Sequence, residues 1–462
     1  MNGRIVWVRL WIMASMTWMA MGSMALGAWK VGAAKVSITP KYPVRLTGYG
    51  GRTTEHEGVK VEIWAKAMAL AWDDGPPAVV ITVDNCGVPA SLRAQVLAEL
   101  GAQKVMDDRL AVCSSHTHCA PMLNGMLKNI FGVDLPADQQ ERVDRYTNDL
   151  RGWMVQAARE AIAKLEPVTI SRGVGNVKFA GNRRYKSPNG LINSPNPEGP
   201  TDHDLPVLKA TNAHGDVIAI FTSYACHCTT LSWNFVHPDW AGIAQLHLEM
   251  MFPNAVALTA IGCGADQNPY PRRQEDLVRF HGHTLAREAM QTANGKTKPV
   301  EGPLECSTRR LKLGLDTPPT EAELKAKAET GKSLHEKYHA KHFLGLLNQR
   351  QALPTEIPYV VQAWRFSDDL AMVFLNGEVV VDYSLRLKRE FDRSRMWVNS
   401  YSNDVPCYIP SERVLKEGGY EGGGAMIYYL QPTKFAPGLE DKIVGAVHEM
   451  VPDVFKAPTA AP

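Results

Sequence analysis

Two histidines separated by one residue, His116 and His118, follow an apolar run in the segment SSHTH, residues 114–118. The run itself, residues 109–115, has the character of a buried strand. Residues two apart in a strand point to the same face, so the pattern predicts that both imidazoles address one site. In open α/β sheets, ligands collect beyond the carboxyl ends of strands. Such a pair suits metal binding or proton transfer, and two histidines satisfied by local hydrogen bonds are the structural alternative.

Further polar groups stand where other strands are predicted to end. His227 follows a β-branched run and lies between two cysteines, where it could be a metal ligand, a structural histidine or the partner of a nucleophilic thiol. Glu378 follows FLNG, and its carboxylate suits metal binding, acid–base chemistry or interaction with a helix dipole. Tyr408 and Tyr420 stand in polar segments rich in Gly and Pro, and either one alone would more often be a packed aromatic.

The elements that would position these groups alternate irregularly between strands and helices. Strand character is predicted for residues 31–39, 63–72, 78–84, 109–115, 168–177, 205–210, 217–224, 359–366 and 371–376. Helical spacing is predicted for residues 90–100, 138–165, 242–251, 275–292, 321–339, 379–389 and 440–450. Strand, helix and strand in residues 78–115 indicate a βαβ unit. The sequence therefore predicts an α/β fold class, with a mixed sheet and surrounding helices in a single large catalytic domain.

Composition bears on partners and compartment. The 462 residues include 50 Lys and Arg and 48 Asp and Glu, which are well mixed and give a formal net charge of +2. No basic stripe interleaves with aromatic residues, so we expect no nucleic-acid partner. The 8 cysteines fit an oxidising compartment, and disulfides near the site are one option.

The first 28 residues have the order of a secretory signal peptide. Arg4 and Arg9 precede an uncharged run, residues 10–29, with small residues clustered near its end. The run is long enough that an uncleaved membrane anchor is the alternative, although its Ser, Thr and Gly residues favour cleavage. We expect an exported protein, periplasmic or extracellular, with residues 29–456 as the catalytic domain and residues 457–462 as a disordered tail.

Taken together and in order, these motifs resemble the neutral/alkaline non-lysosomal ceramidase family. The similar segments are VGAAKVSITP at 31–40, SSHTHCAP at 114–121, SYACHCTT at 223–230, LNGEVVVDYSLRLK at 375–388, NDVPCYIPSE at 403–412 and YEGGGA at 420–425. The similarity covers about residues 30–450, strongly at the motifs and weakly between them. It implies a hydrolase that cleaves an N-acyl amide, with ceramide as the family substrate.

Carried over position by position, the resemblance implies a zinc ion with the ligands His116, His227, Glu378 and Tyr408. Zinc would lower the pKa of a bound water and polarise the substrate carbonyl. His118 would move protons, from the water to the leaving amine. Arg183, in NRRY, would bind a substrate hydroxyl or the developing oxyanion, and Tyr420 would stabilise the tetrahedral intermediate.

Three departures from the family pattern affect these expectations. Asn268 stands where the family has a serine that has been considered a nucleophile, so the resemblance favours attack by a zinc-bound water. Cys119 replaces a serine after the histidine pair, and residues 120–123 lack the family's glycines, which changes the loop beside the metal. We expect a short form that lacks the family's C-terminal immunoglobulin-like domain, which would remove surface that could face lipid.

The predicted function is that of an exported zinc-dependent amidohydrolase acting on ceramide or a related N-acylated lipid. Its partner would be this small-molecule substrate, while contact with a membrane surface and the oligomeric state stay open. The alternatives are a hydrolase of another N-acyl or ester substrate, a non-catalytic envelope binding protein, and a thiol hydrolase that uses Cys226 or Cys228 with His227. Asp84 and His237 are predicted to be structural.

Overall fold

The computed structural model describes residues 28–457, so the predicted signal segment up to residue 27 and residues 458–462 of the predicted tail lie outside the described residues. The strands are β1 (Trp29–Ser37), β2 (Trp64–Trp72), β3 (Ala78–Val83), β4 (Leu110–Ser114), β5 (Glu166–Asn176), β6 (Ala180–Asn182), β7 (Arg184–Ser187), β8 (Gly190–Asn193), β9 (Asp204–Asn212), β10 (Val217–Tyr224), β11 (Val256–Ile261), β12 (Gln267–Pro269), β13 (Lys298–Val300), β14 (Leu304–Gly314), β15 (Glu356–Phe366), β16 (Leu370–Leu375), β17 (Glu378–Val379), β18 (Met396–Asn399) and β19 (Tyr408–Ile409).

The helices surround these strands and carry most of the predicted helical segments. They are α1 (Ala90–Leu100), α2 (Ala137–Ala163), α3 (Asp239–Met251), α4 (Glu275–Asn294), α5 (Glu321–Thr330), α6 (Leu334–Asn348), α7 (Val381–Glu390), α8 (Glu412–Glu417) and α9 (Leu439–Met450). Within the described residues, no helix combines the length and the apolar character needed to cross a membrane.

A large mixed sheet forms the centre of the fold. Its strands run in the order β11–β10–β9–β5–β1–β2–β3–β4, and β13 also pairs with β5. β3 pairs with β4 and β10 with β11 in parallel, and the other neighbours are antiparallel. The predicted α/β class with a mixed sheet is therefore confirmed, and β3, α1 and β4 form the predicted βαβ unit.

A second sheet packs on one face of the first. Its four strands run in the order β14–β15–β16–β18. Large side chains from both sheets share one buried cluster, with Trp29 and Phe221 from the large sheet and Trp364, Phe374 and Trp397 from the small one. Helices α2, α3 and α4 contact the large sheet, and α9 contacts β14 and β15. Each sheet thus buries its apolar faces between neighbouring layers.

The large sheet curls until its two edges approach one another, since β11 contacts β2, β3 and β4. Strand twist accumulates across a sheet and permits this curvature. The segments that follow β4 and β10 then meet, and Thr117 and Cys228 form a parallel bridge between them. Glu378 and Tyr408, which follow the small sheet, are paired residues of the short β17–β19 ladder. Side chains from both sheets therefore converge at one place.

Some sequence-based predictions of elements are wrong. The helix predicted for 321–339 is two helices, because the chain leaves α5 at Gly331 in an extended conformation and Ser333 caps the start of α6. The loop predicted across residues 186–204 begins with the hairpin β7–β8. Strands β11 and β14 were not predicted. β11 is one short apolar run, and β14 carries exposed charged side chains, so neither shows the alternation typical of a half-buried strand.

The turn that places Glu378 requires glycine. Gly377 has φ +83°, and a Cβ there would lie 2.6 Å from Ile409 Cγ1 and 2.9 Å from the Cys407 carbonyl oxygen. We expect Gly377→Ala to lower the free energy of unfolding by about 1–3 kcal/mol, measured by urea denaturation. The matched control is Gly345→Ala in α6, where an added Cβ meets nothing within 4 Å. That control should be neutral or slightly stabilising, and equal stability of both variants would contradict this account of the turn.

Candidate metal centre and active site

Two histidines and one carboxylate meet in the interior, beyond the ends of three strands. The Nε2 atoms of His116 and His227 each lie 3.3 Å from the same oxygen of Glu378, Oε2. All three side chains are buried. Their ligand atoms lie within 4.8 Å of one another, as the donors of one metal ion would.

Backbone carbonyls fix the orientation of both imidazoles. Nδ1 of His116 lies 2.7 Å from the carbonyl oxygen of Cys86, and Nδ1 of His227 lies 2.7 Å from that of Gly264. A carbonyl only accepts, so each Nδ1 carries the proton and each neutral ring presents the lone pair of Nε2 towards Glu378. Two lone pairs that face one carboxylate oxygen repel it unless a cation lies between them. The arrangement therefore fits a metal ion, and without one a proton must take that place.

The pKa shifts of the three groups indicate which of them holds a proton when no metal ion is bound. Burial lowers the pKa of His116, but the Glu378 carboxylate outweighs that effect and raises it to about 10. Burial, with Arg183 and the charge on His116, lowers the pKa of His227 to about 3. Burial opposes the charge of Glu378 as well, yet the two histidines hold its pKa well below the ordinary value. In the metal-free protein, one proton on His116 thus balances the carboxylate.

Tyrosine hydroxyls complete the surroundings of Glu378. Tyr401 donates to Oε2 at 3.3 Å, and Tyr429 donates to Oε1. The hydroxyl of Tyr408, the fourth predicted ligand, lies 3.3 Å from His227 Nε2 and accepts a hydrogen bond from Arg183 Nη2 at 3.0 Å. The hydroxyl of Tyr408 is therefore beside the three-residue group.

Arg183 lies at the centre of a buried charged cluster. Its Nε donates to Glu421 Oε1 at 2.8 Å, and Arg184 Nη1 donates to Glu421 Oε2 at 2.7 Å. The carboxylate of Glu421 therefore fixes two adjacent guanidiniums. Arg183 Nη1 also lies 3.4 Å from Asn268 Oδ1, which accepts a hydrogen bond from Thr229 at 3.1 Å. Arg183 is thus held rigidly with one edge towards Tyr408.

His118 lies beside the same three residues, but the backbone that places it there is not the strand that the sequence predicts. Strand β4 ends at Ser114, and His116 has φ +56°, so the pair lies in a turn rather than in a strand. The Nε2 atoms of His118 and His116 still lie 3.0 Å apart. Burial and the neighbouring imidazoles lower the pKa of His118 well below its ordinary value, and its buried Nδ1 has no partner among the described residues. His118 is therefore neutral and has one ring nitrogen without a protein partner among the described residues.

Tyr420 lies on the outer side of this group. Its ring centroid is 5.2 Å from that of Tyr408, and Arg183 Cζ lies 5.8 Å from the Tyr420 ring. Tyr420 is 40% exposed, in contrast to Tyr408 at 4%. All seven predicted site residues therefore lie in one connected region, with Tyr420 at its solvent side.

Three residues of this site have no role in the sequence-based hypothesis. Tyr401 and Tyr429 bind Glu378, and Glu421 holds Arg183. Glu421 directly follows Tyr420 in the segment YEGGGA, so a carboxylate next to a candidate site tyrosine was a signal in the sequence. Tyr401 has φ +51° in the turn after β18, and Tyr429 ends a short 3₁₀ helix, and no local pattern marks either hydroxyl.

The predicted structural roles of Asp84 and His237 agree with their contacts. Asp84 Oδ2 accepts the backbone N–H of Trp64 at 3.0 Å, and burial raises the pKa of Asp84 to about 6. Nδ1 of His237 accepts the N–H of Asp239 at 2.9 Å, and burial lowers the pKa of His237 to about 4. Both side chains bind the backbone at the ends of elements.

The cysteines are all unpaired thiols, so the optional disulfides are not formed. Burial, followed by the Asp239 carboxylate, raises the pKa of Cys226 and Cys228 well above the ordinary value, which disfavours a thiolate nucleophile. Cys86 lies nearer to the centre, with Sγ 3.7 Å from His116 Nδ1. Cys86, His116 and His118 form a second candidate metal group among the described residues.

Sequence comparison identifies the class of protein that this fold and site define. The family model for neutral/alkaline non-lysosomal ceramidase, N-terminal, matches residues 29–296, more than half of the chain. The chain therefore belongs to the neutral/alkaline non-lysosomal ceramidase family.

Individual relatives are distant. Neutral ceramidase B of Dictyostelium discoideum is 22% identical over 198 residues, which is 41% of this chain and 27% of that protein. The chain thus matches only about a quarter of that relative's length. Two solved structures share the fold: a ceramidase complexed with C2, at 18% identity and TM-score 0.68, and the neutral ceramidase of Pseudomonas aeruginosa, at 20% and 0.67. Both matches cover 94% of this chain, and they cover 77% and 76% of the respective structures.

Thiol accessibility tests the exclusion of cysteine chemistry. We expect iodoacetamide to modify no cysteine other than Cys306 in the native protein, because the other 7 are buried and Cys306 is half-buried. Mass spectrometry after denaturation should show all 8 modified. Modification of Cys226 or Cys228 in the native protein, together with loss of activity, would contradict the structure's assignment of these thiols to the interior.

Proposed function

We propose that this protein is a zinc-dependent amidohydrolase that cleaves the N-acyl amide bond of ceramide or a related N-acylated lipid. The observation that carries the proposal is the convergence of two Nε2 lone pairs on one buried carboxylate oxygen, at His116, His227 and Glu378. Membership of the ceramidase family supports the reaction class. Residues 1–28 would direct export to the periplasm or the extracellular space.

The donor set suits zinc. Two imidazoles and one carboxylate are a common ligand set at catalytic zinc sites. His116, His227 and Glu378 would hold the ion, with Tyr408 as the fourth ligand. A bound zinc ion supplies a Lewis acid, which polarises a carbonyl and acidifies water.

The attacking group in this proposal is water. The resemblance to the family puts Asn268 where a serine nucleophile has been considered, and a side-chain amide cannot form an acyl intermediate. Nε2 of His118 lies 3.0 Å from Nε2 of His116, so His118 would take the proton of the water and return it to the leaving amine.

Arg183 supplies the fixed positive charge of the site. Its guanidinium is held by Glu421 and contacts the Tyr408 hydroxyl, so it is preorganised before substrate binds. A fixed donor near the amide oxygen stabilises the negative charge that develops there during attack. The hydroxyl of Tyr420, on the solvent side of Tyr408, would stabilise the same intermediate.

Metal analysis tests the ligand assignment. We expect the purified protein to contain one zinc ion per chain, and His116→Ala, His227→Ala and Glu378→Gln each to lose it on dialysis, since each removes one donor. Removing a metal ligand typically abolishes activity along with the metal. The control is His214→Ala, an exposed histidine in a turn, which should keep its zinc. Elemental analysis by mass spectrometry measures the content, and full zinc retention in the Glu378→Gln variant would overturn the assignment.

The role of His118 separates proton transfer from metal binding. We expect His118→Gln to keep zinc and to lower kcat by about 10²–10⁴-fold, as loss of a general acid–base group does. Cys86→Ser should keep both zinc and activity, which tests the second candidate metal group. If His118→Gln loses zinc instead, His118 is a ligand and the two histidines exchange roles.

A hydrolysis screen tests the proposed reaction. N-acyl sphingosine and other N-acyl amides of one acyl chain are incubated with the protein after removal of metal and after addition of zinc, and the released amine is quantified. We expect release only with zinc. Equal release by the metal-depleted protein, or release from esters but from no amide, would refute the proposal.

A further inference from the structure

Two adjacent arginines beside the site have no acidic partner. Neither Arg272 nor Arg273 forms an ion pair with another described residue, and the nearest acid in sequence, Glu275, pairs with Arg279 at 2.9 Å. Arg272 is half-buried and Arg273 is exposed. After burial, the charge of Arg273 is the main influence that lowers the pKa of Arg272, so the two guanidiniums act on one another without an ion-pair partner among the described residues.

Arg273 lies one aromatic ring away from His118. Its Cζ is 5.6 Å from the centroid of the Tyr49 ring, and that centroid is 4.9 Å from the His118 ring. The hydroxyl of Tyr49 donates to the Leu231 carbonyl oxygen at 2.8 Å, which fixes the ring between the two side chains. The Tyr49 ring therefore contacts both the guanidinium of Arg273 and the imidazole proposed to move protons.

Arg272 is connected to Asn268 through the side chain of Tyr270. Its Cζ is 5.8 Å from the centroid of the Tyr270 ring, and the Tyr270 hydroxyl lies 3.4 Å from Asn268 Nδ2. Asn268 Oδ1 in turn contacts Arg183. Each arginine is thus connected to the candidate site through an aromatic side chain, Arg272 through Tyr270 and Arg273 through Tyr49.

The chain maintains this pair at an energetic cost. Two neighbouring guanidiniums repel one another, and burial together with Arg273 lowers the pKa of Arg272. Arg273 also has φ +86°, a left-handed conformation that glycine would adopt more easily. Its N–H donates to the Thr230 carbonyl oxygen at 2.7 Å, which holds the strained residue beside the segment that follows His227. Strain of this kind is typical of functional positions.

We propose that Arg272 and Arg273 bind an oxyanion, a carboxylate or a phosphate, on the amine portion of the substrate. The acyl chain of an N-acyl lipid carries no charge, so the oxyanion belongs to the other side of the amide. Guanidiniums present planar forks of donors that suit both oxyanions. This inference rests on the proposed hydrolase function. Among the N-acylated lipids of that proposal, it favours amides with an anionic amine portion over neutral ceramide.

Three amides with one acyl chain test the inference: N-dodecanoylglycine, N-dodecanoyl-phosphoethanolamine and the neutral N-dodecanoylethanolamine. We expect the zinc-loaded enzyme to hydrolyse at least one anionic amide with a kcat/KM about ten- to a hundredfold above that for the neutral amide, which corresponds to charge-assisted hydrogen bonds. The two anionic arms show whether the site takes a carboxylate or a phosphate. A neutral amide that is hydrolysed as well as both anionic ones overturns the inference.

Arginine variants assign the preference to these residues. In Arg272→Gln and Arg273→Gln, we expect the ratio of anionic to neutral kcat/KM to fall by about tenfold, mainly through KM, because a ground-state contact is lost. Arg279→Gln, which removes a guanidinium already paired with Glu275, should leave the ratio unchanged. An unchanged ratio in both site variants overturns the inference.

A binding measurement keeps this test distinct from that of the proposed function. If none of the three amides is hydrolysed, the separate screen with N-acyl sphingosine still decides the hydrolase proposal. Calorimetric titration with the same amides then tests the oxyanion site without depending on hydrolysis, because it measures binding affinity. Tighter binding of an anionic amide to the wild type than to Arg272→Gln supports the site, and equal binding overturns it.

Discussion

The rest of the site depends on one buried carboxylate, Glu378, that faces the lone pairs of two imidazoles. Removing a carboxylate from water costs several kcal/mol unless a cation or donors compensate it. Two tyrosine hydroxyls donate to Glu378, but His116 and His227 turn their unprotonated Nε2 atoms towards it. A metal ion among the three groups would satisfy all of them at once, so the geometry fits a candidate metal site.

The fold is arranged to bring these groups together from distant parts of the chain. His116 follows β4, His227 follows β10, and these strands meet only because the large sheet curls. Glu378 arrives from the second sheet, after a glycine that no other residue could replace without strain. Packing between the two sheets therefore fixes the distances within the site. The same fold is found in solved structures that are only 18% and 20% identical to this chain.

Side chains of a reactive type that follow an apolar strand could be recognised in the sequence. Side chains that reach the site only through the folding of the chain could not. A histidine or glutamate directly after an apolar strand stands out, so His116, His227 and Glu378 could be predicted, and the βαβ unit follows from its periodicity. The hydroxyls of Tyr401 and Tyr429 reach Glu378 from a turn and a 3₁₀ helix, and nothing local distinguishes them from packed tyrosines. The histidine pair was predicted on one strand face, whereas the left-handed backbone of His116 brings the two rings together.

The donor set and the residues around it are held by different contacts. Backbone carbonyls orient the two imidazoles of the donor set. Asn268 links Arg183 to Tyr270, and Arg272 and Arg273, which form no ion pair with another described residue, follow within a few residues. In the proposed function, the donor set would carry the reaction and the surrounding residues the substrate preference, so the two could change independently.

The central claim is that one metal ion lies between His116, His227 and Glu378. Anomalous X-ray diffraction from crystals of the protein, recorded on both sides of the zinc absorption edge, tests it most directly. The account predicts a single anomalous peak in contact with both Nε2 atoms and Glu378. A peak bounded instead by Cys86 and His118, or no peak at zinc-saturating concentration, would contradict it.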